Sequence, residues 1–432
     1  MEELLQRAAR VAEQAELFKV VSEETPVQFE ANRLKHIQSK QSTSLALRLI
    51  KDGRIGYAAI AGADDGQELI DMALETARFG QPAGFDLPQA ATYPPVDIYN
   101  ENTEEVPLEK MVELGKALIA IVRDYNPDIV CEAQINKAVM TVTIMNSQGA
   151  RASYRKSVFS LAVEGSLIRG TDMLFVGDGD ASSHPILAVE DIGRLVLTQL
   201  ERAENVAPVP TKTLPVIFTA QGVASALMPA LTTAFNGKVV LEGASPVGNR
   251  LGQAVFDRRF DLVDDTTIAY RPGSRPFDDE GVPSRRTPLI ENGVVANFYY
   301  DLKTAAKAGK ESTGNGSRGR GQPAPSPGAF VIRPGETGFE DMVADIKEGL
   351  VVEYLMGAEQ GNVLSGDFSG NVLLGYKIES GKIVGRVKDT VVSGNIYKAL
   401  KQMAAIGSDA RWIGSSLYAP SIYLPGLTVA AK

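Results

Sequence analysis

The order of secondary-structure signals occurs twice in the first half of the chain, and this duplication constrains the fold more than any other feature. Leu4, Leu5, Ala8, Val11, Ala12 and Ala15 recur at three- and four-residue steps and predict a helix. Residues 17–29 then turn strand-like. Leu45, Leu47 and Leu49 alternate, Lys51-Asp52-Gly53-Arg54 supplies a turn, and Ile55, Tyr57 and Ala59 return, which predicts a hairpin over 44–60. Leu69, Ile70, Ala73, Leu74 and Ala77 mark a second helix, with Asp64 or Asp65 available as its cap. After a proline-rich stretch at 81–107 the order returns: a helix over 108–125, strands over 129–135 and 139–145, a turn at Asn146-Ser147-Gln148-Gly149, more sheet over 150–165, and a helix over 189–204. The period is about 105 residues. Residues 1–206 therefore read as a duplicated helix–sheet–helix region, with units at about 1–80 and 108–205 joined by a Pro-rich linker.

Ala-Pro-Val-Pro-Thr-Lys-Thr at 207–213 marks a boundary. Residues 214–432 read as a mainly β domain, which makes the whole chain α+β. A strand over 214–218 leads into a buried helix over 221–235, which accommodates Pro229 only if it begins or kinks there. An amphipathic helix is predicted over 339–355. Strands over 372–378 and 383–387 flank a turn at Glu379-Ser380-Gly381-Lys382, and a helix over 395–406 precedes a last strand near 424–429.

Composition narrows the chemistry. The 432 residues include 2 His and 1 Cys. One cysteine excludes an intrachain disulfide, a four-cysteine zinc knuckle and a CxxC pair. His36 and His184 stand too far apart for a HExxH-type helix. Net charge is 44 − 53 = −9, so no global footprint for nucleic acid exists. No apolar run approaches a membrane span, and the opening Met1-Glu2-Glu3 is unlike a signal peptide, so a cytoplasmic location is expected.

The candidate sites read plainly from residue type. Asp278-Asp279-Glu280-Gly281 is the densest acidic cluster; carboxylate oxygens suit divalent cations, but the spacing matches no calcium loop, and a solvated turn is expected. Asp264-Asp265 is a weaker version. The glycine-rich stretch from Ser312 to Gly321, with Arg318 and Arg320, has no aromatic residue for base stacking and reads as a surface loop. Arg151, Arg155 and Lys156 read as a solvated basic strand, His36 and His184 as neither ligand nor base, and Cys131 as a buried, inert thiol.

Several segments together resemble the TldD/PmbA family. They are Ser42 to Ala59, Asn146-Ser147-Gln148-Gly149, Phe277-Asp278-Asp279-Glu280-Gly281-Val282-Pro283, Leu289 to Val294, Ser312-Thr313-Gly314-Asn315-Gly316, Ser365 to Ser369, and Val392-Ser393-Gly394-Asn395. The resemblance runs along nearly the whole chain, in order. It implies a peptidase fold in which the TldD branch holds a metal through a His-Glu-x-x-x-His helix and a later cysteine. The TldE (PmbA) branch lacks those ligands and pairs with TldD to process unfolded peptides. Counted back from Gly237, the motif positions fall on Met228, Pro229 and Thr233, and no cysteine lies in residues 412–432. The resemblance thus implies a subunit without catalytic residues, metal or cofactor. Its partner is a metal-bearing homologue, or a second copy in a homodimer, and neither nucleic acid nor membrane is contacted directly. Asn315, Arg318 and Arg320 become candidates for a loop lining the cleft or facing the partner. Two alternatives stay open: an autonomous hydrolase using carboxylates or a hydroxyl, and a modulator that binds a topoisomerase or a toxin–antitoxin component.

Overall fold

The computed structural model describes residues 1–62, 66–319 and 321–431; Asp64, Asp65 and Arg320 lie outside them. The chain is α+β. Its first part runs α1 (Glu2–Ala9), β1 (Gln14–Glu30), β2 (Arg33–Ile37), β3 (Lys40–Lys51), β4 (Arg54–Ala61) and α2 (Gln67–Ala77). It continues through α3 (Glu101–Glu105), α4 (Leu108–Tyr125), β5 (Val130–Asn146), β6 (Arg151–Arg169), β7 (Asp172–Ser182) and α5 (Glu190–Arg202). The hairpin forms as its sequence demands. Asp52 (φ 51°) and Gly53 (φ 68°) both take the left-handed backbone that a two-residue turn between twisted strands requires. The strands expected at 129–135 and 139–145 are one continuous strand, because Asn136-Lys137-Ala138 lacks a turn signal and pairs through to Ser160, Phe159 and Val158.

The two pattern units are halves of a single sheet, ordered β4-β3-β1-β5-β6-β7, with β2 also on β1. The join is β1 against β5, antiparallel from Glu16↔Asn146 to Phe29↔Ala133. One face of this sheet carries the helices. Leu17, Leu47 and Leu49 pack under α1 and α2, while Phe29, Ile135 and Phe159 belong to the core under α4 and α5. The other face holds a small apolar cluster of Phe18, Ala46, Val142 and Ile144, closed by Phe277 from the second half of the chain. The strap at 81–107 crosses between the halves. Gln14 accepts from Leu87 N at 2.7 Å, and Tyr93 packs on Phe277 with ring centroids 4.9 Å apart.

The second part contains β8 (Lys212–Phe218), α6 (Ala220–Ala226), α7 (Met228–Ala234), α8 (Gly237–Leu241), β9 (Leu262–Asp265), β10 (Arg286–Glu291), β11 (Val294–Val295) and α9 (Leu302–Ala308). Then come β12 (Gly316–Ser317), β13 (Ala324–Pro325), β14 (Phe330–Ile332), α10 (Phe339–Ala344), β15 (Glu348–Met356), β16 (Asp367–Glu379) and β17 (Lys382–Arg386). The last elements are β18 (Thr390–Asn395), α11 (Ile396–Lys401), β19 (Ala405–Ile406), β20 (Arg411–Ile413), β21 (Leu417–Ala419) and β22 (Ile422–Ala431). A mixed sheet runs β11-β10-β9-β14-β21-β20. The remaining long strands run β15-β8-β22-β18-β16, and β15 also pairs with β16, so they close into a barrel. Among the described residues, no helix is long and apolar enough to cross a membrane.

Two helix expectations are corrected. Residues 339–355 form a short α10 and then β15, because Leu350, Val351 and Val352 are buried on both faces of the barrel wall and a continuous apolar run suits a doubly covered strand. Residues 221–235 form two helices that break at Leu227. Gly222 fixes how α6 lies on the barrel: a Cβ there would overlap the carbonyl oxygen of Val352. Gly222→Ala is expected to lower unfolding stability by about 1–3 kcal/mol. Gly321→Ala, where a Cβ meets nothing within 4 Å, should stay within about 0.5 kcal/mol of the parent in the same urea titration.

Candidate functional site

The break at Leu227 places the first group of candidate residues. Thr219 caps α6 by accepting from Gly222 N at 3.3 Å. Pro229 occupies the first turn of α7, where its missing N–H costs nothing. Met228 is buried in the barrel core, and the Thr233 hydroxyl donates to the carbonyl of Pro229 at 2.9 Å. These three positions offer a core thioether, a proline ring and an engaged hydroxyl. They include no imidazole, thiolate or carboxylate, so they do not fit a zinc ion. Among the described residues, no group of three or more His, Cys, Asp or Glu side chains is placed to hold a metal.

The densest constellation lies elsewhere, where the sheet meets the second part of the chain. Alternation along β3 puts Leu47 and Leu49 toward the helices and Ala46 and Arg48 toward Phe277. Arg48, fully enclosed, bonds Glu16 from β1 at 3.0 Å and Glu280 at 2.5 Å. Arg318 reaches the other oxygen of Glu16, donates through Nε to the carbonyl of Asp279 at 3.0 Å, and lies 4.8 Å over the Phe18 ring. Asp278 accepts three backbone N–H groups, from Glu280 and Val282 at 2.9 Å each and from Gly316 at 2.7 Å. Glu280 also accepts from Leu302 N, the first residue of α9, at 2.7 Å. Burial raises the carboxyls of both Asp278 and Glu280, with Arg275 opposing at the first and Arg48 at the second. Burial pulls Arg48 down, but Glu16 and Glu280 outweigh it and raise it above its ordinary range.

This arrangement corrects the reading of the acidic turn as solvated, since Asp278 and Glu280 are completely enclosed. The glycine-rich loop is likewise enclosed over Ser312 to Gly316 and at Arg318, with Gly319 exposed. Asn315 is buried and donates to Asp264 and to the carbonyl of Ser326, while Arg318 points inward. Asp264 in turn accepts from Gly328 N and Ala329 N. The basic strand splits by alternation. Arg151 pairs with Glu2 at 3.0 Å and Arg155 with Glu104 at 2.6 Å at the surface, whereas Lys156 is buried. Its ammonium donates to the carbonyls of Pro272 and Ser274. Burial pushes Lys156 down to about 7, with Arg275 adding and Asp279 opposing. His36 is exposed beside Gln38, and His184 bonds Asn100 at 2.6 Å and packs on Tyr270. Cys131 is buried, and burial pushes its thiol up. Glu16, Arg48 and Arg275 were not flagged from the sequence. The available signal was a single charge inside an apolar alternation, Leu45 to Ile50, with no solvated face to receive it.

Three family models cover the chain: PmbA/TldA metallopeptidase domain 1 over residues 15–78, the central domain over 101–203, and the C-terminal domain over 211–431. The chain belongs to the PmbA/TldA metallopeptidase family. A metalloprotease of Methanothermobacter thermautotrophicus is 25% identical over 92% of this chain and 89% of its own length. A metalloprotease PmbA homolog of Haemophilus influenzae is 25% identical over 87% of this chain and 84% of its own. TldE from Thermococcus kodakarensis shares the fold, with TM-score 0.89 and 24% identity across 100% of both chains. The fold shared with TldE thus runs the length of the chain, and α7 offers no metal-ligand set at 228, 229 and 233.

Arg48→Met should lower stability by about 3–5 kcal/mol, because it leaves Glu16 and Glu280 buried and uncompensated. Adding Glu280→Gln should recover part of that loss, read as a non-zero coupling in a double-mutant cycle. Lys156 gives a pH signature. Its folded value lies below its unfolded value, so the unfolded chain binds more protons between pH 7 and 10.5, and stability from this group rises with pH across that window. Urea midpoints compared at pH 7 and pH 9 should show a smaller upward change for Lys156→Met than for the parent.

Proposed function

We propose that this chain is the metal-free, non-catalytic subunit of a cytoplasmic metallopeptidase complex that captures and processes unfolded peptides alongside a metal-bearing TldD-like homologue. What supports this reading is the residue content of α6 and α7, which hold no histidine, cysteine or carboxylate; counted back from Gly237, a His-Glu-x-x-x-His motif would fall on Met228, Pro229 and Thr233. The names of the relatives, metalloprotease and PmbA homolog, support a peptidase context. Metal chemistry in this reading belongs to the partner; this chain contributes binding surface and helps enclose the substrate. An autonomous carboxylate hydrolase has less support, because the carboxylates of the acidic turn are committed to arginine and backbone N–H bonds inside the protein.

Purified alone, the chain should cleave no unfolded peptide and carry well under one zinc per chain by elemental analysis. Co-expression with a metal-bearing homologue should yield a co-purifying complex with peptidase activity. One equivalent of tightly held zinc in the isolated chain, or metal-dependent cleavage by it, overturns the assignment.

A further inference from the structure

A cleft of about 320 Å³ opens to solvent between the strap and the second part of the chain. That volume sits at the low end of the roughly 300–1,000 Å³ of ligand sites. Its walls are apolar: Phe85 comes from the strap, Val282 from the acidic turn, and Leu302, Ala305 and Ala306 from α9. These walls are held from behind. Glu280 accepts from Leu302 N, Arg48 lies 5.3 Å over the Phe85 ring, and Leu87 is fixed to Gln14. The cleft is therefore pre-formed on elements tied to one buried network rather than on a free loop.

Its rim is charged and exposed. Arg285, Lys310 and Glu311 stand at the mouth, which leaves one uncompensated positive charge. Arg285 spends one nitrogen on the carbonyl of Ser312, and that bond orients the rest of its guanidinium. The neighbouring face of α9 adds to the field. Lys303 and Lys307 lie one helical turn apart on it, and burial pushes Lys303 below its ordinary range, with Lys307 and Lys238 adding and Asp301 opposing. Positive charge gathered here, on a chain of net charge −9, attracts an anion. A single net charge at the rim matches a carboxylate better than a phosphate dianion, and the apolar walls select against nucleic acid.

We propose that this cleft binds the carboxylate end of an apolar peptide, with the terminal carboxylate at Arg285 and Lys310 and the last side chain against Phe85, Val282 and α9. The proposal deepens the peptide-capture reading and rests on it. It names an anchoring point that fixes one end of a substrate while the rest of the chain leaves through the open side.

The test uses the full chain without a partner and fluorescence anisotropy of fluorescein-Gly-Ser-Gly-Ala-Leu, as the free acid and as the C-terminal amide. The amide should bind at least about tenfold more weakly, as expected for losing a charge-assisted pair. Arg285→Gln should bring acid and amide to the same weak affinity. Ala306→Trp should fill the cleft and abolish binding of the acid, with the unfolding midpoint of each variant measured to separate misfolding from lost binding. Equal affinity for acid and amide overturns the proposal, as does undiminished binding by a folded Ala306→Trp variant. Octanoate binding through the same residues while neither peptide binds also overturns it, in favour of a free aliphatic acid. Acid-selective binding without partner-dependent cleavage defeats the subunit reading and leaves the cleft assignment standing. Partner-dependent cleavage with no acid preference does the reverse.

Discussion

The architecture depends on one enclosed guanidinium. Arg48 sits between Glu16 and Glu280, and the second of these lies 232 residues further along the chain. Removing three charges from water is expensive, and the cost is offset only where geometry is close and every remaining lone pair is used. The geometry is close and both oxygens of Glu16 and of Glu280 are engaged, the first carboxylate shared with Arg318 and the second with Leu302 N, although Nε of Arg48 has no hydrogen-bond partner among the described residues. The network and the Phe277 cluster beside it help fasten the second half of the chain to the sheet, while Val351, Tyr376 and Ile378 of the second half join the core under α4 and α5. The network also sets the first turn of α9 and the back wall of the cleft, so the site geometry follows from the same bonds.

Local features of the fold were legible, and long-range ones were not. The hairpin at Asp52-Gly53 and the stripes of α1, α2 and α4 follow from spacing alone. Residues 339–355 deceived because Met342, Val343 and Ile346 keep a helical step into a segment that the barrel then claims as strand. Asp278 and Glu280 deceived for a different reason. Adjacent carboxylates are ordinarily solvated, and the partners that permit their burial, Arg48 and Gly316, lie outside any local window. Arg318, 302 residues from Glu16, belongs to the same class. At the candidate site the residue types of α7 were readable, and Pro229 marked where a helix has to begin or kink.

The scarcity of histidine becomes specific once the chain is placed in its family. A helix that begins at Met228 with proline in its first turn satisfies its own backbone and packs into the barrel, and Thr233 turns its hydroxyl back onto the same helix. The segment thus has Met228 in the core and Pro229 and Thr233 half-buried beside it. Barrel closure has a related effect: β15 pairs with β16 on one side and, over Leu350 to Val352, with β8 on the other, which leaves little of its main-chain edge for an extended peptide to join.

The seam between β1 and β5 has a consequence for how the chain comes into being. Before residues 130–146 emerge from the ribosome, β1 can pair only with β2 and β3 and leaves one entire side of a 17-residue strand open. Every nascent molecule passes through this interval with a long, partly apolar edge that another unfinished chain can join. Closing the seam means bringing together segments that begin at Gln14 and Val130, a long-range pairing of the kind that slows folding. The duplication that gives the sheet its width thus also sets the period in which the growing polypeptide most needs a chaperone.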